Sequence, residues 1–276
     1  MSVHYVTLDD GLTLRVIQSG PAADDAPAVV LVHGWSASVY TFAEMIPALA
    51  EAGYRVIAFD LPGHGLSDKP GEESKYTTRA LSDTVLSVAS AMSVRRFAFV
   101  GHSLGGSLGL DLATRGESRL QRMVLINSVG LGSAPLVLPI RLFSPSIVNR
   151  IVPVLLTRRM VELVLRIAFG TSERPTERDI DEYWAPTQFD EFVSACRACL
   201  HRVAWGRIPA NKLRSVSVPV LVITGGRDLL VRGAVDRAML VPNVRIVTIR
   251  EGGHLVLQEC ASQTNEELLR FLKPEP

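Results

Sequence analysis

The sequence has little charge imbalance, few cysteines and no long apolar run. Its 29 lysines and arginines nearly balance 28 aspartates and glutamates, and a formal net charge of +1 gives no indication of a nucleic-acid partner. Three cysteines in 276 residues do not form a disulfide framework, so we expect a reducing, cytoplasmic environment. No stretch reaches the roughly 20 apolar residues of a membrane-spanning helix, and the first residues lack a secretory pattern.

Short apolar runs alternate with helical patterns along the chain. Continuous runs such as "AVVLV" are typical of strands buried on both faces of a parallel sheet, and Asp10-Gly11 joins the first two strands as a hairpin. This alternation predicts an α/β fold with an eight-stranded, mostly parallel sheet flanked by helices. The predicted strands are Tyr5–Leu8, Leu12–Gln18, Ala28–Val32, Arg55–Phe59, Phe97–Val100, Arg122–Ile126, Val220–Thr224 and Val244–Ile249. The predicted helices are Thr41–Glu51, Thr78–Met92, Leu104–Arg115, Gly233–Leu240 and Ser262–Leu272.

One segment interrupts the alternation. Residues 130–210 contain helical patterns and no convincing strand, including an apolar stretch that Pro153 should break or kink near its middle and a capping box at Thr176 and Asp179. We therefore predict a core of residues 1–129 and 211–276 and an all-helical lid of residues 130–210. Ligands bind at the carboxyl edge of such sheets, and the lid is expected to cover that edge. A structural subdomain without a role in substrate choice is the alternative.

The stretch Gly101-His102-Ser103-Leu104-Gly105 fits the pattern G-x-S-x-G between a strand and a helix. In that context a serine lies on a sharp, strained turn that presents its hydroxyl above the sheet. Side chains two positions before and after it would collide with the neighbouring strand and helix, which explains the glycines. Ser103 is the predicted nucleophile.

A serine nucleophile needs a base and an orienting carboxylate. Asp228 follows the strand in "VPVLVITGGRD" and His254 follows the strand in "VRIVTIREGGH", so both lie at strand ends in the order serine, acid, histidine. Rival candidates are less suitable. Asp60 is interpreted as holding the loop that follows it, His64 and His102 are given structural roles, and Asn127 carries no charge to stabilise an imidazolium.

The developing oxyanion needs hydrogen-bond donors. The backbone N–H of Leu104, at the start of a helix, is one candidate, and the N–H of Trp35 in the loop "LVHGWSAS" is the other. Gly34 and Trp35 are also the predicted substrate-binding residues, although the Trp35 indole is equally well explained as filling space under the lid. The pair Cys196 and Cys199 lacks partners for a metal site, so no metal is predicted.

The segments "VHGW", "DLPGHGLSD", "GHSLGG", "GGRD" and "GGH", in this order over nearly the whole chain, resemble the α/β-hydrolase superfamily. The resemblance implies a cofactor-free serine hydrolase, most often a carboxylesterase or a lipase-like enzyme. Members with aspartate at the elbow act as dehalogenases or epoxide hydrolases, and Ser103 argues against those. The loop "HGWSASVYTF" also departs from the extended Gly/Pro-rich loop of many carbon–carbon bond hydrolases.

The predicted function is hydrolysis of carboxylic esters of apolar small molecules through an acyl-enzyme. The apolar residues of the lid suggest an apolar substrate. A carbon–carbon bond hydrolase, a lyase, an acyltransferase and a small-molecule receptor with residual hydrolysis remain alternatives, because they share the same three residues. The sequence gives no indication of the oligomeric state.

Overall fold

The computed structural model describes residues 1–23 and 26–273. Its strands are β1 (Ser2–Thr7), β2 (Thr13–Ser19), β3 (Ala28–Val32), β4 (Arg55–Phe59), β5 (Phe97–His102), β6 (Leu120–Ile126), β7 (Val220–Gly225) and β8 (Val244–Ile249). In this described part they form one eight-stranded sheet in the order β1-β2-β4-β3-β5-β6-β7-β8. Strands β3 to β8 are parallel to one another, whereas β2 is antiparallel to both β1 and β4. The predicted sheet is therefore confirmed, with strand ends shifted by at most three residues.

The helices that flank the sheet lie between its strands along the chain or after the last strand. They are α1 (Met45–Glu51), α2 (Thr78–Ala91), α3 (Leu104–Thr114), α10 (Ala234–Ala238), α11 (Val256–Glu259) and α12 (Ala261–Leu272). Short 3-10 turns, Val39–Phe42 and Glu73–Tyr76, precede α1 and α2. Of the helices within the described ranges, none is long and apolar enough to cross a bilayer.

Alternate residues of the central strands belong to two apolar clusters, one on each face of the sheet. Val30 and Val32 of β3 lie in the cluster that includes residues of α2 and α3. Val29 and Leu31 lie in the opposite cluster with residues of α1 and α12. All five residues of β3 are buried, as expected for a strand covered by helices on both faces. This burial fixes the position of the strand ends that carry the candidate site.

All regular elements between β6 and β7, a segment described without gaps, are helical. They are α4 (Val137–Leu142), α5 (Val148–Leu155), α6 (Arg158–Ala168), α7 (Glu177–Trp184), α8 (Phe192–Arg202) and α9 (Ala210–Arg214), with a 3-10 turn at Ala185–Gln188. The capping box is present at the start of α7, where Thr176 and Asp179 exchange side-chain to backbone hydrogen bonds. The division into core and lid at residues 130 and 210 remains a prediction.

The apolar stretch that contains Pro153 is interrupted at Leu156, beyond the proline. Pro153 is inside α5, and the chain leaves the helix at Leu156, which has an extended backbone. Thr157 then caps α6 by accepting a hydrogen bond from the Met160 N–H. Helix α5 thus continues past the proline, which removes one of its hydrogen bonds, and a new helix with its own cap begins after Leu156.

Candidate active site

Ser103 lies on a strained turn between β5 and α3. Its φ of 53° and ψ of −115° fall outside the regions that non-glycine residues favour. The Ser103 N–H donates to the Ile126 carbonyl of β6 at 2.9 Å, and the Ser103 carbonyl accepts from Val129 N at 3.1 Å. These bonds to the neighbouring strand hold the turn in its conformation. The residue is 8% exposed, and its hydroxyl makes no hydrogen bond with the described residues.

The glycines around Ser103 permit close contact between backbone segments. A Cβ on Gly105 would lie 2.0 Å from the Val32 carbonyl oxygen of β3. A Cβ on Gly101 would lie 2.6 Å from backbone atoms of Gly105 and Gly106 at the start of α3. Real Cβ atoms do not approach that closely. A side chain at position 105 would therefore collide with the neighbouring strand, and one at position 101 with the following helix, as the sequence pattern predicts.

Asp228 and His254 meet at the ends of β7 and β8. His254 Nδ1 lies 2.9 Å from Asp228 Oδ2, and the two side chains are 9% and 2% exposed. The other carboxylate oxygen, Oδ1, accepts hydrogen bonds from Leu230 N at 2.7 Å and Val231 N at 3.0 Å. These backbone donors orient the carboxylate, so Oδ2 faces the imidazole. Because Nδ1 is used in this pair, Nε2 of His254 remains to exchange a proton with another group.

The histidine before Ser103 connects the serine turn to the His254 loop. The rings of His102 and His254 have centroids 4.7 Å apart, and His102 Nε2 donates to the His254 carbonyl at 2.9 Å. Because a carbonyl only accepts, this bond places the proton of neutral His102 on Nε2. Burial, followed by the neighbouring His254, lowers the pKa of His102 to about 3. His102 is therefore neutral, and it contacts the site as a structural group.

His64 and Asp60 also have structural surroundings. His64 Nδ1 lies 2.9 Å from the Pro62 carbonyl, and burial lowers the His64 pKa to about 3. Asp60 accepts hydrogen bonds from Leu66 N at 2.9 Å, in the loop that follows it, and from Val39 N at 2.7 Å. Neither residue contacts the pair formed by Asp228 and His254.

The loop after β3 brings Gly34 against Ser103. A Cβ on Gly34 would lie 3.0 Å from Ser103 Cβ and 3.5 Å from Ser103 Oγ. The Gly34 carbonyl accepts a hydrogen bond from Nδ1 of buried His33 at 2.8 Å, while His33 Nε2 accepts from Leu61 N at 3.0 Å. In a trans peptide the C=O and the following N–H point in opposite directions. His33 therefore directs the Trp35 N–H away from itself.

The two candidate oxyanion donors have no competing acceptor. Among the described residues, neither Trp35 N nor Leu104 N donates a hydrogen bond to the protein. Leu104 is the first residue of α3, where N–H groups have no partner within the helix. The Trp35 indole is engaged separately, since its Nε1 donates to the Cys196 carbonyl of α8 at 2.9 Å.

Asn127, at the end of β6, joins the loops that carry Asp228 and His254. Its Nδ2 donates to the carbonyls of Gly253 and His254, both at 2.9 Å, and its Oδ1 accepts from Gly225 N at 2.9 Å. It is 2% exposed and has a positive φ of 44°. The sequence shows only an uncharged residue at this strand end. One signal in the sequence could have indicated that this residue joins the two loops. It is an asparagine directly after a buried strand, because asparagine tolerates the αL backbone that a sharp turn at such a position requires.

Two helices between β6 and β7 contact the loops at this edge of the sheet. The carbonyl of Ala168, the last residue of α6, accepts from His254 N at 2.7 Å. Leu165 and Ala168 of α6 pack with Leu255, the neighbour of His254. On the other side, Trp35 packs against a cluster of α8 residues that includes Phe192. Helices α6 and α8 thus contact the loops that carry His254 and Trp35.

The cysteines belong to the packed interior. Cys196 and Cys199 are buried free thiols of α8, and burial raises the pKa of Cys196 to about 12. Neither is therefore a thiolate at neutral pH. Among the residues with described positions, no group of three or more histidine, cysteine or acidic side chains is arranged to hold a metal ion.

Known proteins resemble the chain in sequence and in structure. A family model described as the alpha/beta hydrolase fold matches residues 27–164. The dihydrolipoyllysine-residue acetyltransferase component of the acetoin cleaving system of Pseudomonas putida is 32% identical over 95% of this chain and 67% of its own length. Bifunctional epoxide hydrolase 2 of Rattus norvegicus is 25% identical over 98% of this chain and 55% of its own length. The chain thus spans about two thirds of the first relative and about half of the second.

A solved structure has the same fold over almost its whole length. The crystal structure of the enol-lactonase from Burkholderia xenovorans LB400 matches with a TM-score of 0.81 and 24% sequence identity. The match covers 98% of this chain and 99% of that one. At this level of identity the likeness shows the fold.

Proposed function

The chain belongs to the alpha/beta hydrolase fold family, and from this premise we propose that it is a serine hydrolase that cleaves carboxylic esters of apolar small molecules. The observation that carries the proposal is the hydrogen-bonded pair of Asp228 and His254 at the strand ends beside the strained turn of Ser103. Three residue types that together activate a hydroxyl converge at one edge of the sheet.

The first half of the reaction forms an acyl-enzyme. Ser103 Oγ attacks the ester carbonyl, and its proton passes to Nε2 of His254. Asp228, oriented by two backbone N–H groups, stabilises the resulting imidazolium through Nδ1. His254 then protonates the departing alcohol. In the second half, His254 takes a proton from water, the hydroxide attacks the acyl group, and the acid leaves as Ser103 regains its proton.

Charge on the reacting oxygen is stabilised by the N–H groups of Trp35 and Leu104. Both are free of protein acceptors among the described residues, and His33 fixes the orientation of the peptide between Gly34 and Trp35. Donors that are in place before the reaction need no reorganisation when the charge develops. One such donor accounts for about 10²–10³-fold in turnover.

Support for an apolar substrate comes from the inner faces of the covering helices. Leu230 and Leu255, beside Asp228 and His254, pack with the inner face of α6, and Trp35 packs with α8. The apolar outer residues of α4 to α6 do not add to this support, because many of them are exposed to solvent. We propose that residues 130–210 form a lid whose inward side chains select the substrate.

A serine at the turn distinguishes this chain from relatives that attack with aspartate. The family includes enzymes named epoxide hydrolases, and the resemblance described above assigns an elbow aspartate to that chemistry. Attack of Ser103 on an ester gives an acyl-enzyme that His254 and water can hydrolyse, whereas its attack on an epoxide or a haloalkane would give an ether that water does not cleave, and this favours esters.

Initial rates on p-nitrophenyl esters of increasing acyl length test the proposal. The wild type is expected to hydrolyse them and Ser103→Ala to lose turnover, with the length profile reporting the size of the pocket. Ser107→Ala is the matched control, because this buried serine lies one turn along α3 and bonds only the Leu104 carbonyl. Undiminished turnover by folded Ser103→Ala protein would refute the assignment.

Acyl transfer to an acceptor other than water is the second candidate. It is favoured by the relative whose name is that of an acetyltransferase component, since the same acyl-enzyme can pass its acyl group to an alcohol or thiol. Product analysis in the presence of such acceptors distinguishes the two: a transferase gives mainly the transferred ester or thioester, whereas a hydrolase gives mainly the free acid.

A further inference from the structure

Helices α4 to α6 expose an unusual number of large apolar side chains. Of the twenty large apolar residues that are exposed in the described part of the chain, thirteen lie between residues 136 and 167. We refer to these thirteen as the outer apolar face. Its members are Leu136, Leu138, Ile140, Leu142, Phe143, Ile147, Ile151, Val154, Leu155, Met160, Leu163, Val164 and Ile167. Single exposed apolar residues are normal on a protein surface, whereas a concentration of this kind marks an interaction site.

Helix α6 shows that this exposure is a separate feature from packing on the core. Its inward residues, Leu165 and Ala168, are buried against the His254 loop. Its outward residues, Met160, Leu163, Val164 and Ile167, have the spacing i, i+3, i+4 and i+7 and are 45%, 54%, 62% and 52% exposed. That spacing forms a stripe along one side of a helix. The helix therefore has two apolar sides, and only one of them is covered.

The same segment is strongly basic. Residues 136–167 contain five arginines and one glutamate, a net charge of +4, which leaves −3 for the rest of a chain with a net charge of +1. Arg158 pairs with Glu177 and Asp181, and Arg166 pairs with Glu162. Arg150 and Arg159 are exposed and have no ion-pair or hydrogen-bond partner among the described residues. Positive charge thus accompanies the apolar side chains on one part of the molecule.

We propose that the outer apolar face binds the surface of an anionic phospholipid bilayer. Amphipathic helices that carry arginine beside Leu, Ile and Phe lie in such an interface, with apolar side chains in the acyl boundary and cations among the headgroups. The proposed attachment is that of amphipathic helices lying in the plane of the interface. A second copy of the chain is a poorer occupant, since the exposed, unpaired Arg150 and Arg159 of two such faces would repel each other on contact.

Vesicle flotation tests the proposal independently of catalysis. The wild type is expected to float with phosphatidylcholine vesicles containing about 30% phosphatidylglycerol, and about tenfold less with pure phosphatidylcholine. Ser103→Ala protein should float equally well, so a failure of the proposed hydrolysis does not affect this result. Added salt should weaken the binding, because the headgroup attraction is screened.

Three double variants assign the binding to the outer apolar face. Phe143 and Val154 are 82% and 81% exposed, so Phe143→Asp with Val154→Asp should leave the fold intact and lower binding about tenfold. Val3→Asp with Met239→Asp is the matched control, since it adds the same charges at apolar positions that are 52% and 66% exposed elsewhere. Replacing Arg150 and Arg159 by glutamine should reduce binding to anionic vesicles and its dependence on salt.

Four results would overturn the proposal. They are no flotation of wild type, equal flotation with neutral and anionic vesicles, an equal loss in the matched control, and concentration-dependent dimers that only the Phe143 and Val154 variant dissociates. The last result would assign the face to a second copy of the chain. Thermal unfolding of each variant verifies that the comparison is made between folded proteins.

Discussion

Replacing Asn127 should displace the candidate base, His254, while all three reacting residues keep their own side chains. Its side chain joins the end of β7, through Gly225 N, to the carbonyls of Gly253 and His254 after β8. In Asn127→Ala the His254 carbonyl keeps its bond from His102 Nε2. The Gly253 carbonyl and the Gly225 N–H lose theirs. The variant therefore separates the two loops while Ser103, Asp228 and His254 remain present.

The effect on stability follows from the groups left unpaired. Each buried main-chain group without a partner costs about 1–3 kcal/mol, and an alanine at the positive φ of 44° adds about 1 kcal/mol. Water that enters the space replaces part of the lost bonding. We expect the free energy of unfolding to fall by about 3–5 kcal/mol, which leaves most proteins of ordinary stability folded.

The effect on activity is expected mainly in kcat. A displacement of about 1 Å in a catalytic group lowers turnover by about 10²-fold, whereas substrate contacts are unchanged. Asn127→Asp is the informative companion, because its second oxygen would face two carbonyl oxygens when ionised and could donate to them only when protonated. Relative to wild type, its activity should therefore recover as the pH falls. Asn265→Asp, at a position that bonds the Glu44 carbonyl far from the strand ends, is the control.

Urea unfolding and p-nitrophenyl ester hydrolysis between pH 5 and 8 provide both readouts. Wild-type stability and wild-type kcat in Asn127→Ala would show that the three hydrogen bonds have no role in holding the loops together. An equal pH response of Asn127→Asp and Asn265→Asp would refute the electrostatic part.

Three further predictions concern the residues around the site. Burial lowers the pKa of the three buried histidines at positions 33, 64 and 102 to about 3 or 4, whereas histidine in the unfolded chain titrates near about 6.5. Below that pH the unfolded chain binds more protons than the folded chain. The free energy of unfolding should therefore fall towards pH 4, by about 1.4 kcal/mol for each histidine and each pH unit. Urea titrations at pH 7 and pH 5 measure this fall, and equal free energies of unfolding at the two pH values would contradict it. Gly34→Ala places a methyl group 3.0 Å from Ser103 Cβ and should lower kcat with little change in the melting temperature; unchanged kcat would argue against this loop as the oxyanion site. Trp35→Phe removes the bond to the Cys196 carbonyl and should lower stability by about 1 kcal/mol and change KM more than kcat, whereas a change in kcat alone would place the indole outside substrate binding.

The sequence predicts the sheet well because each buried strand leaves a local trace. Five consecutive apolar residues, as in Ala28–Val32, are explained by burial on both faces. The glycines at 101 and 105 and the capping box at Thr176 are likewise local signals, and the structure contains the contacts that they indicate.

Contacts between distant segments leave no such trace. The three bonds of Asn127 reach residues that lie 98, 126 and 127 positions away, and they depend on the spatial order of β6, β7 and β8. Apolar periodicity has a related weakness, since it shows that a side of a helix is apolar without showing what covers it. In α6 the sequence suggested an apolar lid, and only the structure separates the inward Leu165 from the exposed Leu163.

Active-site labelling tests whether Ser103 is the nucleophile. The protein is incubated with an alkyl fluorophosphonate, which reacts with activated serines, and the adduct is located by intact mass and peptide mapping. We expect one phosphonyl group per chain on Ser103 and none in Ser103→Ala. Labelling should be strongly slowed in His254→Ala, because the base that accepts the Ser103 proton is then absent. Folded wild-type protein that stays unlabelled, or that carries the adduct on another residue, would contradict the claim that Ser103 is the nucleophile.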